Sequence, residues 1–172
     1  MNLHQYQQEA LRFAPPTGTY PYDLQLAVYA LGLAGESSEV VAELEVRNPT
    51  AADNRKMLLE CSDTLWYLAI FCHHLNIPVP EFRGASSIPM GSAGAELTVL
   101  VGSICEQIKK HTGMGRELDT DQVSRTLDKI LEVLVLLIKY RGQSDLETVL
   151  SMNIAKLSAR YPNGYQVLKE SI

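Results

Sequence analysis

Cysteine is scarce in this chain. Cys61, Cys72 and Cys105 form no CxxC pair, and their odd number cannot close a complete intrachain disulfide framework. Reduced, buried thiols in a cytoplasmic protein are therefore expected. No apolar run reaches the length of a bilayer span, and the amino-terminal stretch lacks a charged-then-apolar signal pattern, so we expect neither membrane insertion nor export. Positive charge is in the minority, with 15 Lys and Arg against 20 Asp and Glu and a net charge of −5. General nucleic-acid binding, which shows a basic face, is disfavoured. Glycine loops for phosphate are missing as well: G-x-G-x-x-G does not occur, and Gly113-Met114-Gly115 is too short for a P-loop. His73-His74 lacks HExxH spacing and suits the end of a helix, where a cationic group meets the dipole. No Glu-x-x-His pair occurs either, which argues against a carboxylate-bridged di-iron bundle.

Period-two alternation is not sustained anywhere, whereas helical periodicity is widespread, so the expected fold class is all-α, a helical bundle. The 172 residues, 46% of them hydrophobic, suit a single domain with a substantial core. Asn2 to Ala14 reads as a short amphipathic helix ended by Pro15 and Pro16. A long helix is predicted from an N-cap at about Asp23 to about Val46, and a second from about Asp53 to about Leu75. Residues 77–94, with Pro78, Pro80, Pro89 and three glycines, read as a connector between two halves. Glu96 to His111 is a third long helix and Asp121 to about Tyr140 a very apolar fourth. A last helix starts at a Ser144-Asp145 cap and stops at Tyr161-Pro162.

Within the first half, four carboxylates fall into two pairs. Glu36 and Glu39 lie three apart, as do Glu60 and Asp63. On a helix that spacing means about 60° and about 4.5 Å, so each pair shares a face. Leu31, Leu33, Val40 and Val41 around the first pair, and Leu58, Leu59, Leu65 and Leu68 around the second, call for burial of that neighbourhood. Acids held close repel by about 4 kcal/mol per pair at ~4 Å and an effective dielectric near 20. A hard divalent cation with oxygen ligands would offset this; two unrelated solvated pairs are the plainer alternative. Glu43 extends the first set to i+7, though a solvated helix acid is the simpler reading. Trp66 and Phe71 read as core.

Displacing the first half by 67 positions pairs Leu33 with Leu100, Gly35 with Gly102 and Glu39 with Glu106. A displacement of 68 pairs Leu59 with Leu127, Glu60 with Asp128 and Leu68 with Leu136. We read this as a diverged internal repeat, residues 1–80 and 95–172, although helical periodicity alone generates some of these matches. The acids do not survive the copy: Ser103 stands opposite Glu36 and Leu131 opposite Asp63.

ALGLAGESSEVVAE followed by LLECSDTLWYLA resembles the ExxE…ExxD signature of the MazG-like all-α nucleoside triphosphate pyrophosphohydrolases, and NIAKLSARYPNGY is similar to the closing segment of MazG-like proteins. Together these motifs bracket residues from about Tyr29 to Tyr165. The resemblance implies a helical bundle that cleaves a nucleoside triphosphate between its α- and β-phosphates with Mg²⁺, or alternatively Mn²⁺. It implies Glu36, Glu39, Glu60 and Asp63 as metal ligands and catalytic residues, and Tyr67 on the substrate side; Glu39, in mid-cluster, is our choice of general base, with Glu36 not distinguished from it by spacing. Phosphate-facing candidates are Asn153, Lys156 and Arg160 in the closing segment, and Lys109 with Lys110, His111 and Arg116 near the GMG loop. For each cationic group a solvated face is the alternative, and the resemblance favours only the closing one. Many members assemble from two identical chains, so a homodimer is one expected arrangement; here the second half could stand in for the partner. The rival activities are phosphoribosyl-ATP pyrophosphohydrolase and a dUTPase-like member of the superfamily. From another class comes a non-catalytic nucleotide-binding helical scaffold.

Overall fold

A computed structural model describes residues 1–82, 84 and 88–166. Six α-helices carry the fold, and no strand occurs among the described residues. They are α1 (Leu3–Ala10), α2 (Tyr22–Leu44), α3 (Ala51–His74), α4 (Ala93–Met114), α5 (Thr120–Tyr140) and α6 (Leu146–Arg160). The expected helix over Asn2 to Ala14 is divided: α1 ends at Ala10 and a 3-10 turn continues over Leu11–Phe13 before Pro15 and Pro16.

Helix ends follow local chemistry closely. Asn2 and Gln5 form a reciprocal capping box on α1. Thr50 caps α3 and Asp53 completes its box, so Asp53 lies inside the helix and does not start it. Likewise α2 begins after Pro21, and Asp23 sits in its first turn, where a carboxylate suits the dipole. Asp119 and Asp145 accept from Gln122 N–H (2.8 Å) and Thr148 N–H (2.7 Å) to open α5 and α6. Helix α4 runs from Ala93 to Met114, longer at both ends than the periodicity suggested, because a 3-10 turn over Met90–Ser92 leads into it and left-handed Gly115 (φ 65°) closes it.

Helix α2 is the central element, packing along both α3 and α4. Its pairing with α4 is antiparallel: Cys105 Sγ meets the Ala30 carbonyl at 3.6 Å, while Gly94, at the other end of α4, approaches Leu44 and Val41. Helix α3 lies between α2 on one side and α1, α5 and α6 on others. Residues Val133 to Ile138 of α5 are all buried, which requires neighbours around the whole helix. Cys61 and Cys72 are buried thiols, whereas Cys105 is only partly so. One expectation fails on α2: Leu31 is 68% exposed, on a stripe with Leu24 and Val28. No helix among the described residues is long and apolar enough to cross a membrane.

Candidate functional site

Glu36 comes from the middle of α2; Glu60 and Asp63 come from the middle of α3. The antiparallel crossing brings one carboxylate oxygen of each within 4.8 Å of the others, all three residues being half-buried. Glu39 is not in this trio. It is exposed, yet close enough that its charge raises the pKa of both Glu36 and Glu60. Burial first, then the charges of Asp63, Glu39 and Glu60, push the Glu36 carboxyl up to about 7. Burial and the charges of Glu39 and Asp63 also raise Glu60. An all-oxygen, half-buried donor set with excess negative charge is the chemistry that a hard divalent cation takes.

Asp63 differs from its two neighbours in being held on every side. The Lys156 ammonium, arriving on α6, sits against both of its oxygens. Asn153, one turn before Lys156, donates to Asp63 Oδ1 (2.9 Å) and to Ser62 Oγ (3.0 Å), while its own Oδ1 accepts from the Tyr6 hydroxyl (2.6 Å). Asn153 is fully buried and both amide donors are spoken for. Its expected role at a base or phosphate is therefore corrected: it braces Asp63 from behind and joins α1, α3 and α6. Glu43 is corrected as well, being buried and ion-paired with Lys56 instead of solvated.

From the acids a cleft of about 500 Å³ opens toward the amino-terminal segment. Glu36, Asp63, Lys156 and Arg160 line its charged end. Phe13, Tyr20, Tyr29, Trp66 and Tyr67 wall it from one side, and Tyr161 and Tyr165 from the strap that follows α6. That strap is tied down by Tyr165 N–H donating to the Arg12 carbonyl (2.8 Å) and by the Tyr20 and Tyr165 hydroxyls, 3.1 Å apart. Gly164 makes the tie feasible: its φ is +75°, and a Cβ there would lie 2.7 Å from the Arg12 oxygen.

Of the residues expected on the substrate side, Tyr67, Lys156 and Arg160 share this cleft. Lys109 does not line it; it pairs with Glu106 on the exposed face of α4, where Lys110 also meets Glu106 at 3.2 Å. His111 is likewise engaged locally, with the Arg116 carbonyl at 2.7 Å. Trp66 is not simply core. It is partly buried, lines the cleft and meets Tyr67 edge-on, ring centroids 4.9 Å apart. Phe71 is core, as expected.

Two features escaped the sequence reading. Gly32 has no side chain because the Tyr67 ring occupies that space: a Cβ would lie 2.0 Å from Tyr67 Cε1. A glycine in mid-helix, one turn before Glu36 in GLAGE, was the available signal. The strap aromatics carried no periodic signal at all. Two other clefts, one beside His73 and His74 and one between α1 and residues 76–82, include none of the acidic trio. No protein-family model, curated protein or solved structure matches the chain.

Proposed function

We propose that the protein is a Mg²⁺-dependent nucleoside triphosphate pyrophosphohydrolase, releasing nucleoside monophosphate and pyrophosphate. The observation that carries this reading is a carboxylate trio, two of whose members, Glu36 and Asp63, line one cleft with two cationic side chains and several aromatic rings. Acids alone would repel a polyphosphate, and aromatic walls alone would accept many apolar ligands. Their combination suits a flat base at one end and metal-bound phosphates at the other.

In this reading Glu36, Glu60 and Asp63 hold the cation, with Mn²⁺ as an alternative to Mg²⁺. The bound ion would supply phosphate neutralisation and a more acidic water. Glu39, outside the trio but beside it, is the carboxylate left to accept the water proton. Arg160, exposed and one turn beyond Lys156, offers a fork of donors to phosphate oxygens. Tyr67 and Trp66 give the base a stacking surface. The hairpins α2–α3 and α4–α5 are read as diverged copies of which only the first keeps its acids. The homodimer implied by the resemblance would cover the exposed Leu24, Val28 and Leu31 stripe, which borders the cleft at Val28.

A panel of nucleoside triphosphates incubated with Mg²⁺ and followed by phosphorus NMR tests the proposal. The expected products of an active nucleotide are pyrophosphate and monophosphate in equal amounts. Stepwise orthophosphate release, or tight binding without turnover across the panel, would overturn it; the latter outcome would favour a nucleotide-binding scaffold.

A further inference from the structure

Lys156 occupies the place on Asp63 that a cation ligated by the trio would need. Its ammonium spans both carboxylate oxygens, and Asn153 supplies a further donor to Oδ1. The buried Asn153 amide holds Asp63 Oδ1, whereas the partner recorded for Oδ2 is Lys156. Lys156 is the movable member of the set. Its side chain is 33% exposed, it lines the cleft, and Arg160 lies one turn along the same helix toward the outer end.

Resting on the reading above, we infer that Lys156 is a built-in placeholder cation that a divalent metal and a polyphosphate displace together. Metal entry strips Lys156 of its partner and leaves an ammonium without a counter-charge in a half-buried cleft. A phosphate group beside the metal gives that ammonium a new partner. Each ligand therefore removes part of the cost of admitting the other, and linkage requires the two affinities to rise by the same factor. The metal-free enzyme is electrostatically closed to metal alone and to polyphosphate alone, since the first meets Lys156 and the second meets Glu36 and Glu60.

The experiment uses the full chain and two variants, Lys156→Met and Lys156→Arg. Mn²⁺ binding is followed by electron paramagnetic resonance, with and without a non-hydrolysable triphosphate analogue. Lys156→Met, which removes the charge but keeps most of the bulk, should bind Mn²⁺ alone more tightly than wild type, on the order of tenfold. The same variant should bind the metal–triphosphate pair more weakly, so the coupling between the ligands collapses. Lys156→Arg, which keeps the charge, should bind Mn²⁺ alone as weakly as wild type. Unchanged or weaker Mn²⁺ binding by Lys156→Met overturns the placeholder role, even in an enzyme that releases pyrophosphate. Tighter Mn²⁺ binding by Lys156→Met in a protein with no turnover would uphold this role while the proposed activity fails.

Discussion

Single carboxylates in the trio are not equivalent, and their difference is measurable. Glu36 has a pKa pushed up to about 7 from an ordinary 4.5. An acid with a raised folded pKa binds its proton more tightly in the folded than in the unfolded chain. The metal-free protein should therefore lose stability as pH rises between those two values and level off above the upper one. Glu60, raised by the same causes, adds a contribution of the same sign. In chelator at pH 8, Glu36→Gln should gain about 1 kcal/mol, allowing for solvent screening of this half-exposed group, and should flatten the pH slope. Asp63→Asn should instead lose about 1–3 kcal/mol, because it uncouples Lys156. Urea midpoints across pH decide the matter; equal behaviour of the two variants would contradict the assigned environments. The expectation of a uniformly repulsive cluster missed this contrast, since spacing along α3 says nothing about a lysine on α6.

At the scale of elements, the sequence was informative wherever structure is set within one helix. Periodicity located all six helices, and Pro15 and Pro16 marked a break that the chain obeys. The Glu60 and Asp63 pair was legible for the same reason, since i and i+3 share a face, whereas Glu39 stays outside the trio that Glu36 joins. Contacts between helices were not legible. Leu31 is apolar yet exposed, and Asn153 is polar yet fully buried, because burial depends on which face a neighbour covers. Gly32 is the case where the crossing of two helices depends on one missing side chain, the Tyr67 ring lying where its Cβ would be. Gly32→Ala should lower stability by about 1–3 kcal/mol through overpacking, despite alanine's helix preference of about 1 kcal/mol. In a Tyr67→Ala background the same Gly32 change should cost little, and a double-mutant cycle by chemical denaturation would measure the coupling. Additive effects would mean that the Tyr67 ring is not the source of the loss.

For the molecule as a whole, the cleft is assembled from distant parts of the chain: the amino-terminal segment, the α2–α3 hairpin, α6 and the strap after it. Among the described residues the strap adds aromatic wall but little core, being tied by one backbone hydrogen bond to Arg12 and one hydroxyl pair. Ending the chain after Arg160 should leave the circular dichroism of the six helices intact. The same truncation should weaken binding of a triphosphate analogue with Mn²⁺ by about tenfold or more, as expected for a lost stacking surface worth roughly 1–3 kcal/mol. Calorimetric titration of the truncated protein checks this. Undiminished affinity would assign the base to the α2–α3 side alone.

The pairing of Asp63 with Lys156 joins residues 93 positions apart. A ribosome adding about 5–20 residues per second therefore delivers the acidic hairpin about 5–20 s before its counter-charge. Through that interval the nascent α2 and α3 carry their carboxylates without the lysine, and Ser62 and Tyr6 await the Asn153 amide. Neutralisation of Asp63 by Lys156 is thus deferred until α6 has been made. A chain that stalls before α6 holds the repulsive half of the site without the group that quiets it.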